Sequence, residues 1–457
     1  MSFLQHPMAA GGKYATGGGG TSPLGPEVGP TESERSRREA ASLVAPHPVL
    51  GVPIPSYRGR SLPNVTSSVI RALGSEIPGE PEILPPLAPE VDPFGGRRAE
   101  GPVVLLLVDG LGWSDPERST ERADSGYPAP WNERARPITT VFPTTTTVAL
   151  TSLSTAGSPA RHGVVGHRLY LPAFGVVAEI LRMSPSGVAT GDALAGPGWE
   201  PSMISGMPSV FRRGVAAIAL TRDRFGPTAF TRMIYDGAEF VGFGTASDFA
   251  HRLGRLLGRE HPPSLILAYW DDLDTVQHVH GPSGEFDAFE AMQVRQILAA
   301  ARRPLPSRVS QRTTVVLTGD HGQVPAAPDQ EIAIDRWPAI VAHLARPPTG
   351  DRRAAFLAAR PGHLPSLRDE LARVLPPGHH ILPIPAALDS GLFGGPPFHP
   401  ELSERLGDLL VLVPSPAAIT YRLPGSPPRT RFLPGAHGGL DPAELLVPLV
   451  AGSLAEI

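Results

Sequence analysis

The chain has 457 residues and a formal net charge of -4, from 40 Lys and Arg against 44 Asp and Glu, and it has no cysteine. That charge gives no basic footprint for nucleic acid or for an anionic membrane surface. Without a thiol there can be no disulfide, no thiolate metal site and no cysteine catalysis, so any metal must be held by carboxylate, imidazole or hydroxyl groups.

The first twenty residues, MSFLQHPMAAGGKYATGGGG, lack the charged start and apolar run of a signal peptide. The apolar runs elsewhere are roughly six to eight residues long, too short to span a bilayer. The expectation is a cytoplasmic protein with a small-molecule partner, neither nucleic acid nor membrane; the sequence does not give its oligomeric state.

Residues 1–45 are rich in Gly, Pro, Ser and charge and read as a disordered tail. Residues 46–457 read as a single catalytic domain. Its proline-rich start, 46–100, carries one helix over 64–73, begun by Pro63-Asn64. Residues 103–108 (VVLLLV) form a continuous apolar strand of the kind buried on both faces. Further strands are expected at 239–243, 265–270, 314–317, 409–413 and 445–450. Helical patterns fall at 246–257, with Ser247 as its cap, and at 286–301 and 366–374. Strands alternating with helices imply an α/β fold, a mostly parallel sheet with helices on both faces. The stretches 165–235 and 325–430 fit that alternation poorly and read as inserted cap segments over a site built by the sheet.

Chemistry collects where these strands end, the place where open α/β sheets build their sites. Asp109 follows the strand at 103–108, although Asp-Gly is also a common turn dipeptide. Asp320-His321, flanked by Gly319 and Gly322, follows the strand at 314–317. Aspartate and histidine together offer a hard oxygen and a borderline nitrogen, a pair suited to a divalent metal. Asp274 and His278 follow the strand at 265–270 and are four residues apart, so one helical turn puts both on one face. Asp271 and Asp272 compete with Asp274 for that role, and His280 points elsewhere. His437 sits among glycines just before the last strand. Thr144, Thr145, Thr146 and Thr147 precede an apolar run and mark a helix N-terminus, where free N–H groups can cradle a phosphate. A threonine hydroxyl held there against a metal becomes a nucleophile.

Taken together, these residues resemble the alkaline phosphatase superfamily, and within it the type I phosphodiesterase/nucleotide pyrophosphatase family. The matching pieces are LLLVDGLG, VFPTTTTVALTSL, HGVVGH, DTVQHVHGP, LTGDHGQ and GAHGG, in the family's order, from residue 103 to 439. The resemblance implies a three-layer sandwich and two divalent metal ions, zinc before manganese or iron. Asp274, His278 and His437 would hold one ion; Asp109, Asp320 and His321 would hold the other, which Thr146 also touches. It implies Thr146 as nucleophile, with Thr145 the neighbour that competes for the role. It also implies a hydrolase of phosphodiester or pyrophosphate bonds.

Three positions depart from the family. Gln277 replaces a glycine before the metal histidine. Thr147 replaces an aromatic residue that stacks on a nucleotide base. His167 stands where the family has an asparagine that contacts phosphate. The alternatives on the same fold are a phosphomonoesterase, a phosphonate hydrolase, a phosphomutase, or a non-catalytic relative that binds metal or a phospho-ligand. For a monoester, Arg161 and Arg168 would carry the extra charge.

Overall fold

The computed structural model describes residues 32–75, 83–113, 135–261, 264–423 and 431–457. A seven-stranded sheet runs through its centre in the order Arg136–Thr139, Leu446–Ser453, Thr314–Gly319, Val103–Val108, Leu265–Trp270, Ala217–Arg222, Glu239–Phe243. Neighbouring strands pair parallel from Thr314–Gly319 to Glu239–Phe243, whereas Leu446–Ser453 is antiparallel to both of its neighbours.

Val103–Val108 lies in the middle because all six of its residues are apolar and both of its faces are covered. Val103, Leu105 and Leu107 point into a core shared with Val65, Val69, Val148 and Leu153, from the helices Leu62–Leu73 and Thr146–Thr155. Val104, Leu106 and Val108 point the other way, onto Phe249, Leu253, Val294 and Leu298 of the helices Ala246–Leu257 and Gly284–Arg302. The fold is therefore the expected three-layer α/β sandwich. Val108 pairs with both Trp270 and Gly319, so Asp109, Asp271 and Asp320 leave the sheet at one level.

A second seven-stranded sheet, wholly antiparallel, has the order His380–Pro383, Leu409–Leu412, Ala354–Leu357, Thr349–Gly350, Arg168–Leu171, Val176–Glu179, Ser184–Pro185. Its strands come from the two stretches expected to be insertions. Two boundaries are corrected. Ala217–Arg222 lies inside the stretch 165–235 yet belongs to the central sheet. Leu409–Leu412, apolar enough to pass for a central strand, belongs to the second sheet, where Leu409 and Val411 pack on Leu367 and Leu371.

The tail is also corrected. Residues Glu32–Leu43 form a helix, and Glu39 in it pairs with Arg136 of the edge strand. Residues 1–31 lie outside the described residues. Helix starts shift too. The first helix of the domain begins at Leu62 with Ser61 as its cap. At Ala246–Leu257 the cap is Thr245, whose hydroxyl accepts from the Asp248 N–H; Ser247 is not the cap. Hydroxyls close together in sequence compete for one cap, and backbone geometry selects the one in extended conformation.

One buried ion pair ties a turn of the second sheet to the short helix Pro442–Leu445 before the last central strand. Arg353 Nη2, just before the strand Ala354–Leu357, lies 3.1 Å from Glu444 Oε2, and both side chains are buried. Glu444 Oε1 also accepts from the Gly439 N–H at 2.8 Å, which holds the loop after His437.

Candidate metal centre

The Asp109–Gly110 turn organises the site. The Asp109 N–H donates to Trp270 O at 2.8 Å, its carbonyl accepts from the Asp274 N–H at 3.1 Å, and the Gly110 N–H donates to Asp320 Oδ1 at 3.0 Å. One turn thus fixes three carboxylates. The glycines around Asp320-His321 are required by close backbone approach: a Cβ at Gly319 or Gly322 would sit 2.0 Å from Leu111 O or Ala443 O respectively.

Three imidazoles face the same point in the same tautomer. Nδ1 of His321 lies 3.2 Å from Gly322 O, Nδ1 of His278 lies 3.2 Å from Gly435 O, and Nδ1 of His437 lies 3.0 Å from Thr144 O. A carbonyl can only accept, so each Nδ1 carries a proton and each Nε2 presents a lone pair. His437 Nε2 and His278 Nε2 are 3.2 Å apart, and His278 Nε2 is 3.4 Å from Asp274 Oδ1. His321 Nε2 is 3.5 Å from both Asp109 Oδ1 and Asp320 Oδ2. Two bare imidazole nitrogens cannot hydrogen-bond to each other, so lone pairs converging with carboxylates call for a cation.

Two groups of three donors lie within 4.8 Å of one another: Asp109 with Asp320 and His321, and Asp274 with His321 and His437. His321 belongs to both, and its ring stacks on that of His437 at 4.0 Å. Asp320 Oδ2 is fully buried without a hydrogen-bond partner among the described residues. Burial and the neighbouring Asp320 and Asp274 push the Asp109 carboxyl well above its ordinary range, and burial also raises Asp320. Burial, then His321 and His278, pushes His437 well below the usual imidazole value. A protein interior tolerates such a cluster when divalent charge offsets it, so the donor set fits two metal ions.

Thr146 opens the helix Thr146–Thr155, and its Oγ1 lies 3.1 Å from His321 Nε2 and 3.4 Å from Asp109 Oδ1. Thr145 is the cap residue just outside the helix. No contact between it and the donors is found among the described residues. Thr144 is structural: its hydroxyl donates to Gly439 O at 2.9 Å and accepts from the Gly438 N–H at 3.0 Å, clamping the His437 loop.

The sequence profile of the type I phosphodiesterase / nucleotide pyrophosphatase family matches residues 103–439. The chain belongs to this family. No curated protein matches it. Among solved structures, murine ectonucleotide pyrophosphatase / phosphodiesterase 5 is similar at TM-score 0.56 and 15% identity, over 76% of this chain and 87% of that one. An inactive form of that protein in complex with AMP gives TM-score 0.57 over the same shares, again at 15% identity. Phosphonoacetate hydrolase from Sinorhizobium meliloti 1021, in complex with phosphonoformate, gives TM-score 0.54 and 18% identity, over 78% of this chain and 91% of that one.

Every ligand position expected from the type I phosphodiesterase resemblance, Asp109, Asp274, His278, Asp320, His321 and His437, lies in this one cluster, beside Thr146. Asp271 and Asp272 do not. Asp271 accepts from Arg222 Nε at 2.7 Å and also pairs with Arg224, while Asp272 pairs with Arg222. His280 is exposed and sits against Phe286. His167 lines a cavity together with His278 and His437. Arg161 donates to Pro396 O and Arg168 to Tyr421 O.

Three supporting groups escaped the reading of the sequence. Tyr269 donates its phenol to Asp109 Oδ2, Gln323 donates its amide to Asp274 Oδ1, and Thr140 donates to Asp320 O. Tyr269 hides inside an apolar strand. Gln323 lies two residues beyond His321, but the partner it orients, Asp274, is 49 positions away.

Proposed function

We propose that this protein is a metal-dependent hydrolase of phosphodiester or pyrophosphate bonds that works through Thr146. The observation that carries the reading is the position of Thr146 Oγ1 at a helix start, within 3.4 Å of one carboxylate and one bare imidazole nitrogen of the donor cluster. Asp274, His278 and His437 would hold one divalent ion and Asp109, Asp320 and His321 a second. Zinc suits these sulfur-free ligands, and manganese or iron are the alternatives. Bound there, the ions would supply Lewis-acid stabilisation of charge on the attacking and leaving oxygens.

The chain's own residues do the rest. Thr146 Oγ1 forms the bond to phosphorus, the oxygen opposite departs, and a phosphothreonine results. Water then cleaves that ester and restores Thr146. The first turn of Thr146–Thr155 presents free N–H groups to the non-bridging oxygens. Tyr269 and Gln323 hold Asp109 and Asp274 in orientation. The test is turnover of bis-p-nitrophenyl phosphate and of p-nitrophenyl phosphate with zinc or manganese, beside Thr146→Ala. Faster turnover of the diester, abolished in the variant, supports the reading. A Thr146→Ala protein as active as the parent removes the nucleophile.

A further inference from the structure

The donor cluster lies between two cavities. The first, of about 260 Å³, contains Thr146 and Asp109 and is lined by Leu150, Phe225, Phe230 and Ile234 together with polar groups such as Thr228 and Thr231. The second, of about 320 Å³, has His278 and His437 on one side and residues of the second sheet on the other. The second wall holds two polar atoms without a partner among the described residues. Thr349 Oγ1 is one, in a residue only 4% exposed. Asp351 Oδ2 is the other; its companion Oδ1 accepts from the Arg352 N–H at 2.7 Å. Leaving a buried polar atom without a partner costs free energy, so a cavity wall that keeps two of them is complementary to a ligand that supplies their partners.

In-line displacement fixes which end of a substrate meets which cavity. Thr146 attacks from the first cavity, so the departing oxygen is on the His278 and His437 side and its substituent enters the second. A carboxylate oxygen only accepts hydrogen bonds, and a threonine hydroxyl both donates and accepts. Their natural counterpart is an alcohol bearing further hydroxyl groups.

Building on the function proposed above, we infer that the second cavity is a leaving-group subsite for a hydroxyl-bearing alcohol such as a glycerol or sugar unit, with Asp351 and Thr349 reading its hydroxyls. The substituent retained on phosphorus faces the first cavity, on the side of Leu150, Phe225, Phe230 and Ile234. In the step, the Thr146 Oγ–phosphorus bond forms and the phosphorus–oxygen bond to the alcohol breaks. The Thr146 hydroxyl gives its proton to water and the alcohol oxygen takes one from water, so the step is neutral in protons.

The experiment uses zinc-loaded protein and phenylphosphonate monoesters, in which only one oxygen substituent can leave. The glyceryl and n-propyl esters differ by two hydroxyls, and the p-nitrophenyl ester reports the chemistry. Wild type, Asp351→Asn and Thr349→Val are compared by kcat/KM. The expected result is a glyceryl-to-propyl ratio at least tenfold lower in each variant than in the wild type, mainly through KM. A ratio unchanged in both variants overturns the subsite while leaving the hydrolase standing. Failure of the wild type to cleave even the p-nitrophenyl ester overturns both. Thr349→Val keeps the size and β-branching of the strand residue, so a misfolded Asp351→Asn does not block the decision.

Discussion

The two halves of the donor cluster are built differently. Asp109, Asp320 and His321 are at most 3% exposed and issue straight from the ends of adjacent parallel strands. Asp274 and His278 ride on the nine-residue helix Asp272–His280, and His437 sits on a loop clamped by Thr144 and by the Arg353–Glu444 pair. The His278 side chain is 23% exposed. Sheet register holds the inner trio, whereas the outer trio depends on tertiary ties and opens to solvent. If each trio holds an ion as proposed, the contrast predicts that the inner ion is held tightly and the outer one exchanges.

The largest effect expected is on Thr146, which touches only the inner trio. Thr146→Ala should lower kcat by about 10³-fold or more, the scale of removing a nucleophile, while both ions remain by elemental analysis. Loss of metal in that variant would make Thr146 a structural ligand first. Next comes Asp320→Asn. It should release the inner ion while raising the melting temperature of chelator-stripped protein, because one of several mutually repelling buried carboxylates is gone. A stripped variant that melts lower than the stripped parent would show that the carboxylates are not strained without metal. Supporting groups should then separate the halves. Gln323→Met should weaken outer-site metal affinity by about 10–100-fold and Tyr269→Phe the inner site by a similar factor. Competition with a chelator of known affinity reads both; if each variant affects both ions equally, the division into halves is wrong.

The smallest effect lies outside both halves and must be subtracted before acid-induced metal loss is interpreted. Burial lowers the His162 imidazole to about 3, and its Nε2 lies 2.8 Å from Ser152 Oγ. The folded state keeps His162 neutral while the unfolded chain protonates near its ordinary value. Stability from this group is therefore complete above that value and drains away as pH falls toward about 3. Between pH 7 and pH 5 the loss is about 2 kcal/mol. His399, lowered to about 4, adds in the same direction. Urea unfolding of stripped His162→Gln at both pH values should show a shallower decline than the parent; parallel declines would assign acid lability elsewhere.

The inner trio was readable in the sequence because its chemistry is local. Val103–Val108 is an unbroken apolar run and Thr314–Gly319 an apolar run carrying two threonines, and the first charged residues beyond them, Asp109 and Asp320, are donors. Asp271 shows the limit of that logic. It follows an equally apolar strand at the same level, yet Arg222, the last residue of a strand hidden in a supposed insertion, and Arg224, in the turn after it, claim it. The second sheet was illegible for a different reason. Thr349–Gly350 and Ser184–Pro185 are two residues long, and no periodicity exists at that length. Gln323 and Tyr269 show that an orienting hydrogen bond leaves no spacing rule behind, since it joins residues that only the fold brings together.

The last strand, Leu446–Ser453, lies beside the strand that delivers Asp320, and His437 comes just before it. The site is therefore a late event in the life of each molecule. At about 5–20 residues per second, the roughly 330 residues from Asp109 to His437 take the ribosome on the order of 15–60 s. For that interval the growing chain carries acids without the imidazole that completes their set. A chain ending before His437 would therefore lack one donor of the cluster and is predicted to compete poorly for a divalent ion.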